Sequence, residues 1–159
     1  MDTEPLPTIA IGCDHAGPAL KRALANGLRA AGYPVLDMGT HDDSRVDYPD
    51  FAHAVCAAVQ QGLAQRGVLI CGSGVGMAIA ANRHFGIRCA VASETTTARL
   101  CREHNDANVI AMGARLIDEA TAREILRVFL GTPFEGGRHV QRLDKLAPAI
   151  TLAVQGATV

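Results

Sequence analysis

Three glycines stand at alternate positions, Gly72, Gly74 and Gly76, interleaved with Ser73 and Val75 and preceded by Cys71. Glycine frees the backbone to curl, so successive N–H groups can face one point at the start of a helix, where an anion is favoured. A thiol beside such amides is placed to act as a base or nucleophile, because the thiolate is its reactive form. A tight structural turn is the other reading of the same glycines. The loop is not a Walker A sequence, because no Lys-Ser/Thr follows it, and Met77 occupies the third glycine position of GxGxxG. A nucleotide cofactor is therefore poorly supported.

Further groups lie elsewhere along the chain. Asp14 and His15 follow a short apolar run, where an acid serves either a ligand or a helix cap. His104 and Asn105 precede another apolar run, and Arg115 follows it. Arg138 and Arg142 are four apart, so they share a face if the last helix begins there; two guanidinium forks on one face suit a phosphate dianion.

The elements that must position these groups alternate. Residues 8–13, 33–38, 68–71, 87–92 and 109–112 read as buried strands. Residues 16–31, 49–65, 75–84 and 95–104 read as helices, the first with Leu20, Leu24 and Leu28 on one face. Asp118 can cap the next helix, which stops near Gly131, Thr132 and Pro133; a last helix is expected from about His139, with Pro148 breaking or restarting it. Such alternation predicts an α/β, Rossmann-like three-layer sandwich with a five-stranded parallel sheet in the order 2-1-3-4-5. Ligands sit beyond the carboxyl ends of such strands, near the point where the order reverses, so the chemistry belongs just after Cys13 and Ile70. The 159 residues are read as one domain, 1–159, with 1–7 as an extension.

Composition narrows the function. The net charge of −1 gives no general attraction to nucleic acid or an anionic membrane. No apolar run approaches the roughly 18 residues of a membrane span, and the first residues lack the pattern of a signal peptide. The odd count of five cysteines, without a CxxC pair, argues against a zinc cage or a disulfide framework and for reduced thiols in the cytoplasm. No metal site is expected. Cys13, Cys56, Cys89 and Cys101 read as small core residues. Only Lys21 and Lys145 are lysines among 15 basic residues, a bias toward the side chain that best matches phosphate.

CDHAG, DYPDFA, ICGSGVG, IAANR, GIR, HNDANV, GAR and EGGRHVQR fall in one order along residues 8–145. This combination closely resembles the family of ribose-5-phosphate isomerase B and galactose-6-phosphate isomerase. The resemblance implies a Rossmann-like fold, no metal or organic cofactor, and a homodimer or homotetramer with shared active sites. It implies Cys71 as proton acceptor, His104 as the proton donor that opens the sugar ring, and residues Gly72, Ser73, Gly74, Val75 and Gly76 as an anion hole. Asp14, His15 and Tyr48 would lie at the sugar, and Asn105, Arg115, Arg138 and Arg142 would bind substrate, the arginines chiefly at the phosphate. Many members carry Thr where Ser73 stands, which keeps the hydroxyl. Another branch lacks the cysteine and places a catalytic Glu where this chain has Met77, so the cysteine branch fits.

The expected reaction is enolisation of ribose 5-phosphate to ribulose 5-phosphate. Cys71 would remove the proton on carbon 2, the loop amides would hold the enediolate, and Ser73 could relay a proton between the two oxygens. A phosphohexose such as allose or galactose 6-phosphate is the alternative substrate. A non-catalytic sugar-phosphate-binding module is the alternative from another class, but it would need neither Cys71 nor His104.

Overall fold

The computed structural model describes residues 5–147. Five strands, β1 Ile9–Cys13, β2 Val35–Asp37, β3 Arg66–Cys71, β4 Cys89–Val91 and β5 Val109–Gly113, form one parallel sheet. Helices α1 Pro18–Ala30, α2 Tyr48–Gln60, α3 Val75–Ala81, α4 Thr95–Asn105 and α5 Glu119–Gly131 join or follow them. A 3₁₀ turn, Gly137–His139, leads into a short α6, Val140–Asp144; the expected break at Pro148 lies outside the described residues.

The strands alternate their side chains between two cores, as a pleated strand must. Ile9, Ile11, Cys13, Val68, Ile70, Ile110 and Met112 face Leu24 and Leu28 of α1, Cys101 of α4 and Phe129 of α5. Ala10, Leu69, Cys71, Val109 and Ala111 face Val55 and Cys56 of α2 and Met77 of α3. Helices thus cover both faces, which gives the expected three layers.

The strand order is 2-1-3-5-4, which corrects the expected 2-1-3-4-5. Parallel crossovers are right-handed, so the face taken by each helix records the direction of its step across the sheet. The helices α2 and α3 share one face while the chain moves outward from β2 to β3 and on to β4. On the opposite face, α4 lies with α1 and α5, so the next step runs back inward and inserts β5 beside β3. Burial agrees. All five residues of β5 are buried, whereas the short β4 is partly exposed, as an edge strand is. The reversal between β1 and β3 is unaffected.

Several boundaries differ from the sequence reading for local reasons. The helix α2 ends at Gln60 rather than near 65, because Gly62 at φ 74° closes it: Gly62 N–H donates to Val59 O and Leu63 N–H to Ala58 O. The helix α3 ends at Ala81 because the Asn82 amide donates to Cys89 O and accepts Cys89 N–H, tying that helix end to β4. Asp118 caps α5 as expected, accepting Thr121 N–H at 2.8 Å. Buried Lys21 pairs with Asp37, whose other contact, Gly39 N–H at 3.0 Å, fixes the chain leaving β2.

Candidate active site

The carboxyl end of β3 delivers Cys71 to the bottom of the glycine loop, 5% exposed. Gly74 N–H donates to Cys71 Sγ at 3.1 Å. The other four cysteines do the reverse: each directs its S–H at a carbonyl, Thr40 O, Ala81 O, Ala90 O and Ala98 O for Cys13, Cys56, Cys89 and Cys101. Burial pushes the thiol of Cys56 up to about 12 and those of Cys13 and Cys101 up to about 11, and it pushes Cys89 up as well. Cys71 alone has its sulfur as an acceptor of a backbone N–H.

The loop is held open by its neighbours. Gly74 adopts φ 80°, and a Cβ there would lie 2.9 Å from the Met112 carbonyl carbon. The loop is also stitched to the chain beyond β5, since Ala114 N–H donates to Cys71 O and Arg115 N–H to Gly72 O. Ser73 is exposed, and its Oγ accepts Val75 N–H at 3.3 Å. Arg115 lies across Gly72, with Nη1 3.2 Å from where a Cβ would stand. The Tyr48 ring covers Gly76 so closely that a Cβ there would be 2.7 Å from its Cζ.

Beside the loop, β1 ends in Asp14 and His15. One Asp14 oxygen accepts Ala16 N–H at 2.9 Å, and Gly17 is the N-cap of α1, so the carboxylate shapes a turn rather than capping the helix. His15 Nδ1 lies 3.2 Å from Val46 O, which ties the loop before α2 to this edge. Asp14, His15, Tyr48, the loop residues and Arg115 therefore gather around the carboxyl ends of β1 and β3.

His104, Asn105, Arg138 and Arg142 do not join them. The helix α4 runs back to the other edge of the sheet, and His104 and Asn105 end it just before β5 begins. Val109 pairs with Gly67 and Gly113 with Cys71, so about 13 Å of strand separates the two edges. The segment carrying the arginines docks at the same far edge through Glu135 N–H to Glu103 O at 3.0 Å. Arg138 sits in the 3₁₀ turn and Arg142 in α6, so their spacing spans a junction rather than one face of a single helix. The ten loop-side residues, Cys71 included, and these four form two separate groups on one chain.

One neighbour in the second group escaped the sequence reading. The His139 ring, 4% exposed, stacks on His104 with centroids 4.5 Å apart and planes 16° apart. Its adjacency to Arg138 in GGRH was the only signal. Glu135 joins them, and the possible ligand atoms of His104, Glu135 and His139 lie within 4.8 Å of one another, a cluster the sequence spacing did not disclose. Near-parallel rings aim their in-plane lone pairs alongside one another rather than at a common point. A tetrahedral ion about 2.0–2.1 Å from each nitrogen would require the stack to open.

Among the described residues, no helix is long and apolar enough to cross a membrane. Comparison with known proteins agrees with the motifs. The model of the Ribose/Galactose Isomerase family matches residues 9–146. Ribose-5-phosphate isomerase B of Escherichia coli is 46% identical over 138 residues, 87% of this chain and 93% of the relative. The solved structure of the Clostridium thermocellum ribose-5-phosphate isomerase B superposes with a TM-score of 0.87 at 47% identity, covering 87% of this chain and 94% of that one. The Mycoplasma genitalium enzyme, solved with bound ribulose-5-phosphate, gives 0.85 at 38% identity, covering 87% and 93%. With the family model spanning residues 9–146 and the relatives matched over 87% of its length, the chain belongs to the ribose/galactose isomerase family.

Proposed function

We propose that this protein interconverts ribose 5-phosphate and ribulose 5-phosphate through an enediolate, with Cys71 as the base. The observation that carries this is the direction of one hydrogen bond: the Cys71 sulfur accepts Gly74 N–H where every other cysteine donates. A sulfur that accepts an N–H is favoured as the thiolate, the form that can take a proton. Cys71 removes the proton on carbon 2, and the same proton returned to carbon 1 gives the ketose. The charge that develops on oxygen is met by the loop amides of residues 72–76, worth ~3–4 kcal/mol for a preorganised donor. Ser73 relays a proton between the two oxygens. His104 opens the sugar ring, Asp14, His15, Tyr48 and Asn105 hold the sugar, and Arg115, Arg138 and Arg142 hold the phosphate. The reading uses no metal and no organic cofactor.

The acting unit is one domain of this chain paired with a second copy. The roughly 13 Å of strand between the edge that carries Cys71 and the edge where β5 begins, just after His104, supports that reading, because a sugar phosphate bound at one edge would not engage both residues of a single chain. A two-fold pair brings the far half-site of each chain to the near half-site of the other. Five unpaired thiols, one of them the base, suit the reducing cytoplasm.

Mixing two inactive variants, Cys71→Ala and His104→Ala, tests both the roles and the sharing. After subunit exchange, random pairing should restore about a quarter of the wild-type sites, read as ketose formed from ribose 5-phosphate. No recovery despite proven exchange would return both residues to one chain. The same assay with allose 6-phosphate decides the substrate: a kcat/KM above that for ribose 5-phosphate would replace the pentose by a hexose and leave the enolisation intact.

A further inference from the structure

We infer that His139 is a positioning residue for His104, its buried ring serving as the platform that fixes the orientation of the His104 imidazole. The inference rests on the reading of His104 as the ring-opening group. Among the described residues, the His104 side chain makes no hydrogen bond, although it lies half-buried at the last turn of α4. An imidazole so placed has several rotamers open to it, yet proton transfer to a sugar oxygen requires one of them within hydrogen-bond reach. The contact that selects one is the stack on His139.

The platform is itself anchored. Phe134 packs against the His139 ring at a 55° tilt, 6.5 Å between centroids. His139 N–H donates to Gly136 O, and Glu135 N–H donates to Glu103 O, one residue before His104. Arg102 reaches across from α4 to Thr132 O at 3.2 Å, so the loop after α5 is fastened to the same helix turn from two sides. His139 Nε2 is buried without completing a hydrogen bond to any described residue; Glu135 Oε2 stands 3.4 Å away. The ring is thus used for its face. At 4% exposure little of the ring meets solvent, in contrast to exposed Arg138 and Arg142.

The test compares His139→Ala, His139→Leu and His139→Phe with His104→Ala, each checked for an intact melting transition. Phenylalanine keeps a flat ring, whereas leucine keeps buried volume without one. Displacement of a reacting group by about 1 Å can cost ~100-fold in rate, so kcat of the alanine and leucine variants should fall by roughly 10–100-fold. KM for ribose 5-phosphate and inhibition by inorganic phosphate should stay within about 2-fold, because the arginines are untouched, and the phenylalanine variant should recover most of kcat. A general loss of local structure would move KM and phosphate inhibition along with kcat. Unchanged kcat in the leucine variant, or a phenylalanine variant as slow as leucine, overturns the platform. Normal turnover by His104→Ala would instead remove His104 from ring opening, and with it the group that the platform serves.

Discussion

At the scale of the residue, the five cysteines separate by what their sulfurs do. Thiols pushed up to about 11 or 12 by burial are only ~0.1% ionised or less at pH 8, and their S–H groups donate to carbonyl oxygens. Alkylation by iodoacetamide at pH 8 should therefore label Cys71 first, abolish turnover in step with that label, and slow when ribose 5-phosphate is present. Peptide mapping reads this directly. Labelling of Cys13, Cys56 or Cys101 ahead of Cys71 would contradict the assignment. This residue was legible in the sequence because the alternate glycines beside it carry a conformational meaning that few other patterns share. His139 was not legible, because its role depends on the loop after α5 lying against the last turn of α4, a contact no local pattern encodes.

At the scale of the element, the loop after β3 depends on a backbone that only glycine adopts cheaply. Gly74→Ala meets two costs, a left-handed φ worth about 1–2 kcal/mol and a Cβ pressed against the Met112 backbone. Gly62→Ala meets only the first, since nothing lies within 4 Å of its would-be Cβ. Thermal melts should rank Gly74→Ala below Gly62→Ala. Turnover should fall in Gly74→Ala, where the N–H facing Cys71 is displaced, and hold in Gly62→Ala; equal losses of turnover would detach the loop geometry from catalysis. The strands and helices themselves were readable from apolar runs and helical spacing. Their order was not, because β4 and β5 both read as short apolar runs. What distinguishes them is the face on which α4 packs, and that choice is made by burial of Cys101 and Ala98 against the α1–α5 side.

At the scale of the whole molecule, burial of thiols couples stability to pH. Cys13, Cys56, Cys89 and Cys101 all ionise at higher pH folded than unfolded, so above about pH 9 the unfolded chain binds fewer protons than the folded one. Their contribution is complete below the unfolded value of 9.0 and is lost as pH rises toward 11–12. Urea melts should be level from pH 7 to 8 and weaken above pH 9, by at most ~1.4 kcal/mol per pH unit for each thiol. Cys56→Ala should make that decline shallower. A flat profile to pH 10.5 would mean that these sulfurs are hydrated in the folded chain.

With a site shared between two copies, as proposed, the placement of Asp14 and Cys71 at one edge of the sheet and His104 at the other would separate two events that coincide in many enzymes. A newly made chain completes its sheet and both cores alone, with every strand pairing internal to it. If the site is shared as proposed, competence to turn over substrate comes later, at encounter, and its arrival scales with how many chains are present. Folding then runs on a clock that ignores dilution, while the onset of catalysis runs on one that dilution slows. In a scarce chain the first can be finished long before the second begins.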